Sequence, residues 1–211
     1  MVARPLRSLQ PLPLETAVRA GSVVVRQGEP CPQMRVVAHG AFMVEVLRHD
    51  GRRLVLDVLG PGDGLGGPGD GIDAGDGARL AQATVRALRP GRLREVEPDE
   101  MVPLLVRRAE RAARLAADLA WFDVPTRLLV RLHQLAARFG HPVPDGVSIG
   151  LRLTHEDLAD LCGTTRESVT RAMRELIRQG RVDVPHRGRV VVRHRLSALP
   201  SWSRIKLHAP Q

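Results

Sequence analysis

Residues 154–180 read THEDLADLCGTTRESVTRAMRELIRQG, and no other segment restricts the fold as tightly. Thr154 is placed to cap a helix, with Glu156 and Asp157 favourable in its first turn, where backbone N–H groups and the helix dipole welcome negative charge. Leu158, Ala159, Leu161 and Cys162 form an apolar face, and Gly163 ends the helix. Thr164 with Glu167 has the S/T-x-x-E form of a capping box and opens a second helix. Ala159, Gly163 and Val169 fall where a helix-turn-helix needs them. The first is a small residue at the crossing, the second a residue tolerant of positive φ in the turn, the third an aliphatic residue that packs back.

The second helix has two chemically different sides. At about 100° per residue, Arg166, Thr170, Arg174, Glu167, Arg178 and Arg171 fall within an arc of roughly 140°, while Val169, Ala172, Met173 and Leu176 lie on the other side, between roughly 240° and 340°. The formal net charge is +9, carried by Arg and a single Lys. It concentrates late in the chain: from Thr164 to Gln211 eleven basic residues face three acids. A concentrated positive field is the footprint of phosphate contact. Arg can pair bidentately with guanine, and Glu can accept from the cytosine amino group. Thr165, Arg166, Glu167, Thr170, Arg171 and Arg174 are therefore the candidate contacts of a DNA-reading helix. Val182–Val184, a turn at His186-Arg187-Gly188 and Val190–Arg193 read as a β-hairpin wing, with Arg187 and Arg189 as phosphate holders. Double-stranded DNA is the expected partner. Three Phe, two Trp and no Tyr argue against single-strand or RNA binding, which stacks bases on aromatic rings.

The first half reads as β structure. Residues 1 to 20 are Pro-rich and read as irregular. Val23–Arg26, Met34–Ala38, Phe42–Leu47, Arg53–Leu59, Ala83–Ala87 and Leu93–Val96 are candidate strands, with His49-Asp50-Gly51 as a hairpin turn. Short strands at this spacing suggest a barrel or jelly roll. Residues 60–77, GPGDGLGGPGDGIDAGDG, read as a flexible loop. They fail the calcium nonapeptide repeat, which needs Asp where Gly71 stands, and the EF-hand loop for lack of its terminal Glu.

From Asp99 to Phe122 the pattern turns helical. Leu105, Ala112 and Leu119 recur every seven residues, with Leu115 and Phe122 between them, as in a pairing seam. Asp123 caps a further helix that accepts Pro125 in its first turn and runs to about Phe139, with Leu128, Leu129, Leu132 and Leu135 on its apolar side. Gly140 and Pro142 stop it. The expected organisation is α+β: a β-roll over residues 1–98, a dimerisation helix over 99–122, and a winged helix-turn-helix domain over 123–211.

Several chemistries are unsupported. Cys31 and Cys162 are far apart and form no CxxC, so neither zinc nor an iron–sulfur cluster is expected. His39 and His49 make no metal set of the His-x-His kind and no pairing that suggests haem. P-loop, GxSxG and HExxH patterns are absent, so no enzyme is expected. No stretch approaches the roughly 18 apolar residues of a membrane span, and no signal peptide is seen, so the expected location is cytoplasmic. A protein-interaction role for the β half stays open.

From about Ala20 onward the chain resembles the CRP/FNR superfamily of bacterial regulators, the cyclic-AMP receptor protein group. Three stretches carry the resemblance: Leu59-Gly60-Pro61-Gly62-Asp63, LAWFDVPTRLLVRLHQLA (Leu119 to Ala136) and LTHEDLADLCGTTRESVTRAMREL (Leu153 to Leu176). The last is the most specific, since its Arg166-Glu167 and Arg171 look like the family's Arg-Glu-x-x-x-Arg reading motif. The resemblance implies a homodimer on a TGTGA-like palindrome, RNA polymerase as a partner, a nucleoid location and an effector domain shaped like a cyclic-nucleotide β-roll. Within that roll the effector positions correspond to Gly66, Gly67, Arg79, Leu80 and Ala112. Only Arg79 keeps the family's cyclic-AMP chemistry. Gly67 stands for the ribose-binding Glu, Leu80 for the hydroxyl beside the phosphate, and Ala112-Ala113 for the adenine-contacting Thr-Ser pair. Each lost polar partner costs roughly 1–3 kcal/mol in a buried site. No cofactor is expected, the effector is unassigned, and cyclic AMP is expected to bind weakly or not at all.

Overall fold

A computed structural model describes residues 15–67, 70–73, 78–186 and 189–193. The element order is β1 (Thr16–Val18), β2 (Val23–Val25), β3 (Arg35–Leu47), β4 (Arg53–Leu59), β5 (Gly64–Leu65), β6 (Gly71–Asp73), β7 (Arg79–Ala81), β8 (Thr84–Glu95), α1 (Met101–Trp121) and α2 (Val124–Phe139). There follow β9 (Gly140–Val143), β10 (Gly146–Ile149), α3 (His155–Cys162), α4 (Arg166–Arg178), β11 (Val182–His186) and β12 (Arg189–Arg193). The fold is a β-roll, then helices, then a winged helix-turn-helix.

The roll is an antiparallel sheet in the order β1-β8-β3-β4, with β2 added to β8 and β5 to β3. Its apolar filling is Val37, Phe42, Leu59, Leu65, Val85, Ala87 and Leu93. Two pairs of expected strands are in fact single long strands. The apparent breaks at His39-Gly40 and Arg89-Pro90-Gly91 lie opposite each other, where the β3–β8 register shifts. These are bulges, which bend a strand without ending it. A Cβ on Gly40 would sit 2.7 Å from the Gly91 Cα, so the two backbones cross in close contact. Thr16–Val18, expected to be irregular, pairs with β8.

Residues 60–77 also differ from expectation, because Asp63 and Asp70 have protein partners. Asp63 is buried, accepts from the Gly60 N–H at 2.8 Å and pairs with Arg111 at 3.0 Å and with Arg138. β6 pairs with β7. Residues 68–69 and 74–77 lie outside the described residues.

Helix α1 packs on the roll through Leu104, and Leu115 and Asp118 further along it are also buried. The residues of the expected seam are not alike in burial. Leu105 and Leu119 are half-buried, and Ala112 is exposed. The outward apolar face is Val102, Val106, Ala109, Ala113, Ala116 and Ala120, spaced alternately four and three residues apart. Val102 and Val106 are 67% and 52% exposed. Leu104 is taken up by Met34 and Val36 of its own domain, which sets the rotation.

Asp123 caps α2 as its sequence predicts, accepting from the Thr126 N–H at 3.0 Å, with Pro125 in the first turn. The expected wing is half of a four-stranded sheet, β11-β12-β10-β9. The Gly140–Ile149 hairpin is the part that sequence reasoning missed. Its signal is the turn dipeptide Asp145-Gly146, masked by Gly140 and Pro142, which read as a helix stop. The largest apolar cluster joins Ala41, Met43, Val55 and Val58 of the roll to residues of α2, α3 and α4. The helix-turn-helix is thus docked on the sheet that precedes it.

Candidate nucleic-acid interface

Helix α3 begins with a reciprocal cap. The Thr154 hydroxyl accepts from the Asp157 N–H at 3.0 Å, and the Asp157 carboxylate accepts from the Thr154 N–H at 2.9 Å. Burial alone would raise the Asp157 pKa, but these bonds and Arg53 outweigh it and hold it below the ordinary value. Helix α3 ends at Gly163, whose φ of 58° is left-handed and whose open Cα position faces Leu119. The Thr164 N–H then bonds back to the Ala159 carbonyl at 3.0 Å, closing a Schellman-type turn.

That bond moves the next cap. It places Thr164 in the turn that closes α3, one residue before the N-cap of α4, so the capping box expected at Thr164–Glu167 does not form. Thr165 is the N-cap of α4, accepting from the Ser168 N–H at 3.3 Å. The helix direction is unchanged: Val169, Ala172, Met173 and Leu176 are buried, with Val169 against Ala159 and Cys162 in one cluster.

The candidate contacts divide into two groups. Arg166, Glu167, Arg171 and Arg174 are exposed on one side of α4. Glu167 is held below the ordinary carboxylate pKa, first by its own backbone N–H and the Thr165 hydroxyl, then by Arg166 and Arg171. It stays an ionised acceptor at neutral pH. Arg171 also reaches the Ser168 hydroxyl at 3.2 Å. Thr165 and Thr170, by contrast, serve the motif itself. Thr165 is the cap, and Thr170 donates to the Arg166 carbonyl at 2.8 Å and meets His155 of α3 at 3.0 Å. Arg178, on the same side, is bound to Glu175 at 2.6 Å.

On the wing, Arg189 is exposed, with its Nε donating to the Ser148 hydroxyl at 3.0 Å and Nη2 3.1 Å from the His141 ring. Arg187 lies outside the described residues. Two positioning arginines were not legible as such in the sequence. Arg127 of α2 donates to the Cys162 carbonyl at 2.6 Å and to the Phe122 carbonyl at 2.8 Å, tying together the ends of α3 and α1. Arg53 of β4 binds Asp157 at 3.1 Å, Asp160 at 2.6 Å and Glu45 at 3.0 Å, so α3 is clamped to the roll.

The effector positions do not all converge. A cavity of about 580 Å³ beside the roll is lined by Cys31, Met34, Gly67, Arg79 and Met101, among others. Gly66, Leu80 and Ala112 are not in its lining. Gly67 has a φ of 80°, and a Cβ there would stand 2.7 Å from the Met34 Cβ. A glutamate has no room at that position in this conformation. Among the described residues, no helix is long and apolar enough to cross a membrane.

Comparison with known proteins agrees with this architecture. A cyclic nucleotide-binding domain model matches residues 15–108, and a Crp-like helix-turn-helix domain model matches residues 126–199. The CRP-like cAMP-activated global transcriptional regulator of Mycobacterium tuberculosis is 32% identical over 173 residues, which cover 76% of this chain and 75% of that protein. The global nitrogen regulator of Synechococcus elongatus is 26% identical over 196 residues, 86% of each chain. In fold, the chain is similar to a CRP-family transcriptional regulator of Thermus thermophilus, with a TM-score of 0.72 and 23% identity over 87% of this chain and 94% of that one. The c-di-GMP responsive regulator of Xanthomonas campestris gives a TM-score of 0.68 at 23% identity, over 86% and 94%. The β-roll, the capped helix-turn-helix and these likenesses agree, and the chain belongs to the CRP/FNR family of transcription regulators.

Proposed function

We propose that this regulator binds inverted TGTGA-like half-sites as a homodimer, without requiring cyclic AMP. The observation that carries the reading is the exposed side of α4. It presents Arg166, Glu167, Arg171 and Arg174 to solvent, while the opposite side is fully packed. Arg166 and Glu167 stand in the first turn, where a recognition helix meets base edges, and the Arg and Glu pair suits guanine and cytosine. Arg174, Arg187 and Arg189 are assigned to phosphates, which fix register. Thr165 and Thr170 support the helix.

The outward Val102/Val106/Ala109/Ala113 face of α1 is the pairing surface. Two copies related by a two-fold axis would place their α4 helices about one DNA turn apart, roughly 34–36 Å. The residues at Gly67, Leu80 and Ala112 supply none of the polar groups expected for cyclic AMP, which supports control without that nucleotide. The proposed organisation is a roll over 1–98, a pairing helix over 99–122 and a DNA-binding unit over 123–211. The setting is the bacterial nucleoid, with RNA polymerase as partner, and no catalytic role is assigned.

The test is fluorescence anisotropy with a duplex carrying two inverted TGTGA half-sites and a scrambled control, with and without cyclic AMP. Selective binding that cyclic AMP leaves unchanged supports the reading. Binding only with cyclic AMP, as the mycobacterial relative's name describes for that protein, overturns the effector half of it. Arg166→Ala should weaken the specific duplex by about 1–3 kcal/mol, roughly 5- to 150-fold, with little effect on the scrambled one. An equal loss on both duplexes would move Arg166 from the bases to the backbone.

A further inference from the structure

The Gly- and Asp-rich stretch holds a charge arrangement that the DNA-reading half does not use. Asp70 lies between β5 and β6. One of its carboxylate oxygens, Oδ2, accepts from the Gly66 N–H at 2.5 Å and from Nη2 of Arg108, on α1, also at 2.5 Å. Arg108 reaches the Gly66 carbonyl with its other terminal nitrogen at 3.5 Å. Arg79 of β7 donates to the carbonyl of Gly71, the residue after Asp70, at 2.5 Å. All three charged groups act on the Cys31 thiol. Burial and Asp70 push its pKa up, while the Gly67 backbone, Arg79 and Arg108 pull it down. The cluster therefore borders the cavity that Cys31, Gly67 and Arg79 line.

The side chains of Asp70 and Arg108 are only 17% and 21% exposed. Charges so poorly solvated need a partner, and each has one in the other. The donor set is a backbone N–H and a guanidinium converging on one oxygen, with a second guanidinium close by. That set holds a phosphate oxygen in anion-binding loops, because charge-assisted donors favour a compact anion. Here the anion belongs to the chain itself.

We propose that Asp70 is a resident anion, whose carboxylate fills the seat a phosphate group would take between the Gly66 backbone and Arg108 of α1. Gly66 and Arg108 are then bridged with no small molecule bound, and a truncated residue at position 70 opens a site for inorganic phosphate or a phosphate ester. The inference deepens the reading of a regulator that works without cyclic AMP, and rests on that reading for its regulatory meaning alone.

The experiment melts the full chain as wild type, Asp70→Ala, Asp70→Ser and Arg108→Gln, with chloride or with inorganic phosphate at matched ionic strength. In chloride, Asp70→Ala should melt lower by roughly 3–6 °C, the scale of one lost charge-assisted contact in a chain of this size. Phosphate should restore at least half of that loss while leaving the wild type unmoved. Arg108→Gln should melt low and show no recovery, because its cation is the phosphate's partner. If Asp70→Ala does not fold, Asp70→Ser, which also vacates the seat, carries the same test. A phosphate response confined to the Asp70 variants supports the resident anion. Its absence, an equal response in wild type, or recovery of Arg108→Gln overturns it. No DNA is in the tube, so a failure of sequence-selective binding leaves this result standing, and the reverse holds as well.

Discussion

Thr164 and Thr165 are chemically identical neighbours with different work. The Thr164 N–H closes α3 by its bond to Ala159, and the Thr165 hydroxyl opens α4 by accepting from Ser168. Substituting an N-cap hydroxyl removes the acceptor for an otherwise unsatisfied N–H, at about 1 kcal/mol. Thr165→Ala should therefore lower the unfolding free energy by about that amount, and Thr164→Ala by clearly less, as read in urea titrations. The reverse order would restore the cap that the S/T-x-x-E pattern suggests. The same distinction sorts the polar side of α4. Arg166, Glu167, Arg171 and Arg174 face outward, whereas Thr170 is spent on Arg166 and His155.

At the scale of the element, α1 is a helix with two apolar faces, and among the described residues only one has a partner. Leu104 binds it to the roll and Leu115 is buried with it, leaving Val102, Val106 and the alanines at 109, 113, 116 and 120 outward. Apolar residues at alternate spacings of four and three let two helices approach along their length. A charge introduced there has no effect on the packing that α1 makes with its own domain, but would be desolvated in a pair. Val106→Glu should therefore yield a folded protein that sediments as a monomer at concentrations where wild type sediments as a dimer. Two like carboxylates brought together across the two-fold axis would also repel. A Val106→Glu protein that remains dimeric would place the pairing surface elsewhere.

At the scale of the whole molecule, short ion pairs stitch the elements together around apolar contacts. Arg53 joins β4 to α3, Arg138 joins α2 to Asp57 and Asp63, and Arg94 joins β8 to Glu100 at the start of α1. The Arg94 guanidinium lowers the Glu100 carboxyl from 4.5 to about 2. A carboxylate with a depressed pKa in the folded state stabilises above its unfolded value, and that contribution is lost as the pH falls through the folded value. The melting temperature of wild type should exceed that of Glu100→Gln at neutral pH, and the gap should close between pH 4.5 and about 2. Glu100 is about one-third exposed, so solvent screens the pair and the gap should be small and should narrow in high salt. A gap that widened on acidification would mean that Glu100 is not held ionised by Arg94.

The sequence by itself determined those features in which local chemistry and long-range packing agree. Asp123 with Pro125, Thr154 with its acids, and Gly163 mark helix ends through bonds made within a few residues. The period of Val169, Ala172, Met173 and Leu176 states which side of α4 is buried. The cationic side follows by subtraction, so the solvent-facing residues of α4 are legible from spacing alone. The tertiary structure decided what depends on partners distant in the chain. Whether Gly40 and Gly91 ended two strands or bent one pair depended on their meeting across the sheet. Which stripe of α1 turned inward depended on Met34 and Val36, and the fate of the aspartates at 63 and 70 on Arg111, Arg138 and Arg108. Residue spacing encodes direction along one element, but carries no record of which charges and surfaces the folded chain will bring opposite it.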